Sequence, residues 1–144
     1  MITKLHTFMV AHQTQICLNP NDYIMWCGNF NRHHPLWDKD EDEHLFMNEA
    51  THDAEYLISQ LAEWNMEMPL PKGILTLKHM VTKLYSCPDN IFCMDILSEH
   101  VIKCNTLPNN QPPRIDHFPM VMVHDLPTQT IVPKPSLDYR IVDW

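Results

Sequence analysis

The chain has 144 residues, 44% of them hydrophobic, and its 18 acidic against 10 basic side chains give a formal net charge of −8. A domain of this length buries roughly two-thirds of its unfolded surface, so we expect one core. The excess of acid excludes a broad cationic surface that would neutralise nucleic-acid phosphates. No stretch approaches the roughly 20 apolar residues of a membrane helix. We therefore expect a soluble intracellular protein, nuclear or cytoplasmic, without a membrane partner.

The five cysteines are an odd number and lack CxxC spacing, which fits neither a disulfide framework nor a common zinc module. We expect reduced thiols that are mostly buried. The chain has only two glycines, which excludes phosphate-cradling loops of the Walker or dinucleotide type. Zinc binding by clustered histidines is an alternative, but no closed four-ligand spacing supports it. The residues of that alternative are His33, His34, His44 and His52 with Asp38.

The first part of the chain predicts a helix and then a strand. Leu5, Phe8 and Met9 recur at helical spacing, and the turn residues at 19–22 end that segment. Residues 23–27 form a nearly continuous apolar run, which is typical of a strand buried on both faces. Gly28 follows directly, and we expect it to end the strand.

A longer helix and several short strands are expected downstream. The acidic run 38–43 predicts a solvated loop, with cation binding by its carboxylates as the alternative. Apolar residues then recur at steps of three and four over 50–64, the clearest helical pattern in the chain. Prolines 108, 112 and 113 predict a loop. Short apolar segments predict strands at 74–77, 90–93, 101–104 and 119–123.

The first group of candidate site residues follows the apolar run 23–27. It contains Asn29, Asn31, Arg32, His33 and His34. An asparagine amide can hydrogen-bond a phosphate oxygen or a metal-bound water, and arginine can bind a phosphate through two parallel hydrogen bonds. The alternative is an asparagine-rich turn whose amides bond their own backbone.

The second group is Asp116 with His117, just before a predicted strand. A histidine beside an aspartate can act as a general acid or base near neutral pH, and a second carboxylate can orient its ring. Asp89, which precedes the predicted strand 90–93, is the candidate for that carboxylate. The alternative is an ordinary surface loop.

Segments 28–38, 88–93 and 114–120 resemble, in order and spacing, the endonuclease/exonuclease/phosphatase superfamily. More narrowly, they resemble the C-terminal half of the endonuclease domain of non-LTR retrotransposons, especially fungal ones. That family's motif reads Gly-Asp-Phe-Asn-x-His-His-Pro-x-Trp, where this chain reads Gly-Asn-Phe-Asn-Arg-His-His-Pro-Leu-Trp. The resemblance implies a partial four-layer α/β sandwich, with a mixed, mostly antiparallel sheet, flanking helices and no counterpart of the family's N-terminal half. It spans 1–126, followed by a proline-containing tail or linker at 127–144.

The resemblance also implies an activity, which is the nicking of DNA by a hydrolase that depends on Mg²⁺ or Mn²⁺. Asn31 would stabilise charge on the transferring phosphate. Asp89 would pair with the catalytic His117, and Asp116 would contact the metal ion. The implied catalytic residues are Asn29, Asn31, Asp89, Asp116 and His117, and the substrate-binding residues are Arg32, His33 and His34.

Two departures from the family lower the expected activity. Asn29 stands where the family has aspartate, and an amide can neither take a proton from water nor add charge to a metal site. The family's N-terminal half, with its metal-binding glutamate, has no counterpart. We therefore expect a degenerate endonuclease that either self-associates through an exposed apolar sheet face or repacks its N-terminal helix over that face. The alternatives are a phosphodiesterase completed by a second chain, and a non-catalytic interaction module using sheet residues such as Ile91 or Val121.

Overall fold

The computed structural model describes residues 2–12, 22–45 and 48–126, so the predicted tail and most of the predicted turn at 19–22 lie outside the described residues. Its helices are α1 (Ile2–Ala11), α2 (Asn48–Glu63) and α3 (Asp95–Ser98), with 3-10 helices at Asp40–Leu45 and Pro108–Asn110. Its strands are β1 (Met25–Asn29), β2 (Met66–Glu67), β3 (Leu77–Lys78), β4 (Tyr85–Ser86), β5 (Asp89–Met94), β6 (Val101–Thr106) and β7 (Met120–His124). None of these described helices is both long and apolar enough to cross a membrane.

The central sheet has three antiparallel strands in the order β1, β5, β2. β5 is the strand buried on both faces, since all its residues except Met94 are buried. The prediction that the run 23–27 has this character is wrong, because β1 lies at the sheet edge and alternates between buried Trp26 and exposed Met25 and Cys27. The expectation that Gly28 ends the strand is also wrong, since Gly28 still pairs with Asn90.

One face of this sheet packs against the helices. Trp26 and Phe92 are direct partners across β1 and β5, and both are buried in the main core cluster. α2 contributes Ala54, Leu57 and Leu61 to the same cluster, so the predicted helical pattern at 50–64 is confirmed. The predicted N-terminal helix is confirmed as well.

The opposite face of the sheet is covered by a second cluster of Ile91, Leu70 and Cys104. Cys104 belongs to β6, which pairs with β7 in a separate antiparallel sheet. Helices, the central sheet and the β6–β7 sheet are thus stacked in layers, and the predicted partial α/β sandwich is confirmed. Ile91 is 5% exposed, so the face around it is not the bare surface that we expected.

The described cysteines are all free thiols. Cys87, Cys93 and Cys104 are buried as predicted, whereas Cys27 is exposed on β1. Burial raises the pKa of Cys87 to about 12 and that of Cys93 to about 11, so both are uncharged. Cys17 lies outside the described residues.

The β3–β4 hairpin connects the segment around His117 with the first residue of β5. β3 covers Leu77 and Lys78 rather than the predicted 74–77. Leu77 pairs with Ser86 and forms one bridge to His117 on its other side. β2, β4 and α3 were not predicted, since elements of this length carry too little hydrophobic periodicity.

The acidic run 38–43 was predicted to be a solvated loop, and its first residue, Asp38, does not fit that prediction. Residues 40–45 form a 3-10 helix, and Asp40 makes a surface ion pair with Lys72 at 2.6 Å. Asp38, however, is 0% exposed. The prediction of a solvated loop is therefore wrong for Asp38, because its carboxylate is buried and its Oδ2 contacts His33 and His34 in its own loop.

The main cluster should dominate the stability of the fold. Leu57 is 0% exposed, and we expect Leu57→Ala to lower the free energy of unfolding by about 2–5 kcal/mol through lost burial and an unfilled cavity. Val81 is 83% exposed, and Val81→Ala should change it by less than about 0.5 kcal/mol. Urea unfolding monitored by circular dichroism measures both, and equal effects would contradict the described core.

Candidate active site

The pairing of β1 with β5 brings the two ends of the candidate site together. Asn29, the last residue of β1, is the direct partner of Asp89, the first residue of β5. Just beyond, the backbone N–H groups of Phe30 and Asn31 donate to the Pro88 carbonyl at 3.0 and 3.2 Å. Partners in an antiparallel pair share a face of the sheet, so Asn29 and Asp89 lie side by side.

Two unusual backbone conformations shape this turn. Gly28 has φ +151°, a value that side chains rarely allow, although a Cβ there would meet no atom within 4 Å. The requirement for glycine therefore comes from the backbone rather than from crowding. Asn31 has φ 49°, in the left-handed region that asparagine tolerates better than most residues.

Asp89 brings His117, from the second group of predicted residues, next to Asn29, from the first group. His117 Nδ1 lies 2.7 Å from Asp89 Oδ2, which is hydrogen-bonding distance. The Asp89 side chain is 9% exposed and that of His117 is 36% exposed, so a buried carboxylate holds a partly open imidazole. The contact fixes Nδ1 and leaves Nε2 as the ring nitrogen that a substrate can reach.

Asp116 lies on the open side of this imidazole. Its Oδ1 is 3.8 Å from His117 Nε2, and its side chain is 37% exposed. Its backbone carbonyl accepts the N–H of Lys78 at 2.8 Å, while Phe118 N–H donates to the Thr76 carbonyl at 2.7 Å. These two bonds anchor the segment around His117 to the start of the β3–β4 hairpin.

The predicted substrate-binding residues differ in their surroundings. One Arg32 Nη atom donates to the Asn31 carbonyl at 3.0 Å. His33 Nδ1 lies 3.3 Å from Asp38 Oδ2, which raises the pKa of His33. His34 Nδ1 accepts the Leu36 N–H at 3.1 Å, and burial lowers the pKa of His34. His34 therefore takes part in the structure of its own loop.

Sequence reasoning missed two supporting residues. Thr76 is 0% exposed, and its Oγ1 accepts the Asp89 N–H at 3.1 Å. Asp38 holds the loop that carries His33 and His34. No local pattern marks a buried threonine, whereas Asp38 closes the motif segment 28–38 and stands next to Trp37, a signal that favours burial over a solvated position.

No protein-family model and no curated protein matches the sequence at a significant level. Solved structures do match it. An AP endonuclease from Archaeoglobus fulgidus superposes with a TM-score of 0.58 at 18% identity, over 84% of this chain and 53% of that endonuclease. The endonuclease domain of TRAS1, a telomere-specific non-LTR retrotransposon, superposes with a TM-score of 0.66 at 16% identity, over 88% of this chain and 53% of that domain. The chain shares the fold of these endonucleases.

The comparisons confirm the predicted resemblance at the level of the fold. Both neighbours are endonucleases, and one is the endonuclease domain of a non-LTR retrotransposon, as the motif indicated. The chain spans about half the length of either neighbour, 53% in each case. The narrower resemblance to fungal elements, the assignment to a C-terminal half and the roles of the site residues stay predictions.

The buried threonine provides a test of how the site is supported. Thr76→Val keeps the shape but leaves the buried Asp89 N–H without its acceptor, so we expect a loss of about 1–3 kcal/mol in the free energy of unfolding. Thr76→Ser keeps the hydroxyl and should lose less. Chemical denaturation measures the loss, and an NMR spectrum should show the His117 ring signals shifting in the valine variant alone. Identical stability in both variants would contradict the described bond.

Proposed function

We propose that the chain carries a weakened phosphodiester-cleaving site of endonuclease type, of retrotransposon origin, with DNA as its substrate class. The observation that supports the proposal is the contact of 2.7 Å between His117 Nδ1 and Asp89 Oδ2, directly beside Asn29. A structural ion pair alone would not need to leave the other ring nitrogen open. The two endonuclease structures that share the fold are consistent with this chemistry.

His117 is the proton-transfer group in this proposal. Its Nδ1 is held by Asp89, so Nε2 can accept a proton from the attacking water, and the imidazolium can then return that proton to the leaving sugar oxygen. The orienting carboxylate fixes the tautomer and stabilises the imidazolium that forms, as in other histidine–carboxylate pairs. This arrangement serves hydrolysis in which water attacks phosphorus and the P–O bond to the leaving sugar oxygen breaks.

Two asparagines would contact the phosphate group in this proposal. The Asn31 side chain can donate a hydrogen bond to a phosphoryl oxygen, where it would stabilise developing negative charge. Asn29 can orient a water molecule in the same way, but its amide cannot remove a proton. Asn29 is therefore the reason for proposing a weakened site.

Asp116 is the side chain that would hold a divalent ion. Mg²⁺ and Mn²⁺ prefer carboxylate oxygens and complete their coordination with water and substrate phosphates. Among the described residues, no three His, Cys, Asp or Glu side chains are grouped around a common ion position. Asp116 would thus bind the ion together with phosphate oxygens of the substrate, and the ion would neutralise charge on the phosphate.

Plasmid nicking tests the proposal directly. We expect the chain to nick supercoiled DNA slowly with Mg²⁺ or Mn²⁺ and not at all with EDTA. His117→Ala should abolish the reaction, whereas Asn29→Asp should accelerate it on the order of 10²-fold, because a carboxylate can take a proton. The matched control is His52→Ala, since the His52 side chain is 86% exposed on α2. Absence of nicking in both the original chain and Asn29→Asp would refute the proposal.

A second function is favoured by a separate observation, the exposed apolar side chains of the β6–β7 sheet. Ile102 is 68% exposed and lies at the irregular step between Val101 and Lys103, and Val123, which pairs with Lys103, is 43% exposed. In the described part of the chain, β6 and β7 pair only with each other, so their outer edges are open. Open edges with apolar neighbours favour association. We infer a self-association surface here.

Light scattering tests the association. The chain should show a mass above its single-chain 17.0 kDa that rises with concentration. Ile102→Lys should return it to one chain, because a charge at an apolar contact must be desolvated. Val81→Lys, on the β3–β4 hairpin, is the control and should leave association unchanged. A single-chain mass at every concentration would contradict the inference.

A further inference from the structure

A second imidazole–carboxylate pair lies in the loop that follows β1. His33 Nδ1 is 3.3 Å from Asp38 Oδ2, a charge contact rather than a well-aligned hydrogen bond. The His33 side chain is 25% exposed and that of Asp38 is 0% exposed. The arrangement repeats that of His117 and Asp89, in which a buried carboxylate contacts Nδ1 of a partly open ring.

Asp38 also determines the shape of this loop. Its Oδ2 accepts the His34 N–H at 2.8 Å, and its own N–H donates to the His34 carbonyl at 3.0 Å. Trp37 Nε1 donates to the Arg32 carbonyl at 2.9 Å, and the Trp37 carbonyl accepts the Gly73 N–H at 2.8 Å. The loop is thus closed around the buried carboxylate and tied to a distant segment, which leaves His33 little freedom to turn away.

The charges around His33 favour its protonated form. The Asp38 contact raises the pKa of His33, the charge of Asp42 adds to this effect, and partial burial opposes it. His79 and Tyr85 face the same space from the β3–β4 hairpin. A protonated His33 compensates the buried charge of Asp38, which would otherwise be costly in an enclosed position.

His33 also lines a cleft next to the candidate active site. The cleft has a volume of about 310 Å³, and Thr82 and Ser86 line it together with His33. Leu77, another lining residue, bridges to His117 and pairs with Ser86, so the cleft and the His117 imidazole lie on the same face of the hairpin.

We propose that Asp38 is a positioning residue that orients His33, and that His33 Nε2–H binds a backbone phosphate of the nucleic acid beside the bond to be cut. The inference rests on the proposed function and adds a specific phosphate contact to it. A protonated imidazole forms short, charge-assisted hydrogen bonds to phosphate oxygens. The hydroxyl groups of Thr82 and Ser86 are further donors for the same phosphate. Asp42 is an acidic lining residue of the cleft, and its charge acts on His33 as well.

Two measurements on the full chain test the inference. NMR titration of the imidazole signals gives the pKa of His33, and fluorescence anisotropy with a labelled DNA duplex in EDTA gives the affinity without cleavage. Asp38→Asn should lower the His33 pKa, since the carboxylate that raises it is replaced by a neutral amide. Duplex affinity of the original chain should fall on the order of tenfold as the pH rises through the His33 pKa.

Matched variants separate the possible outcomes. His33→Gln should remove that pH-dependent loss of affinity, and Asp38→Asn should move it to lower pH, whereas His52→Gln should change neither. An unchanged His33 pKa in Asp38→Asn would overturn the positioning role. If Asp38→Asn does not fold, His33→Gln decides alone, and an unchanged pH profile in it would overturn the phosphate contact. A chain that binds no duplex at any pH would refute the proposed function and the phosphate contact together, while the titration would still decide the role of Asp38.

Discussion

The antiparallel register of β1 and β5 is the constraint on which the candidate site depends. Trp26 faces Phe92 on the side of the sheet that α2 covers, and this apolar pair fixes the register. Because side chains alternate along a strand, a slip of one residue would turn Asp89 toward the helix and Asn90 toward His117. Hydrophobic packing on one face therefore determines which polar groups meet on the other.

Two buried carboxylates position histidine rings at the sheet and in the loop that follows it. Asp89 and Asp38 are each nearly inaccessible, and each contacts Nδ1 of a histidine whose ring remains partly open. Burying a carboxylate is unfavourable unless hydrogen-bond donors compensate it, so each position requires its partners to be in place. The chain thus achieves two oriented imidazoles through backbone donors and packing in the interior, while the surface carries excess negative charge.

Sequence patterns predicted some of this structure and failed for identifiable reasons. The spacing over 50–64 predicted α2, because one face of a helix must repeat every three or four residues. The run 23–27 is more apolar than residues 89–94, yet β5 occupies the centre of the sheet. The position of a strand within a sheet depends on its pairing with segments that are distant in the sequence. Local hydrophobicity carries no information about that pairing.

The residues of the candidate site were likewise predicted only in part from the sequence. The motif residues and the pairing of His117 with Asp89 were predicted, since the resemblance fixed their order and spacing. Thr76 was not, because a single threonine in a loop carries no signal of the N–H group that it will meet after folding. Asp38 was predicted to be solvated because its neighbours are acidic, whereas its partners His33 and His34 lie five and four residues before it.

Asn29 connects the stability of the fold with its chemistry. Cβ atoms of direct partners such as Asn29 and Asp89 lie roughly 4.5–5.5 Å apart, so an aspartate at 29 would set two carboxylates face to face. That repulsion is tolerable when a cation lies nearby and unfavourable when none does. The amide removes the repulsion and, with it, a negative charge that would attract an ion. An asparagine at position 29 therefore makes the fold less dependent on a bound ion than an aspartate there would.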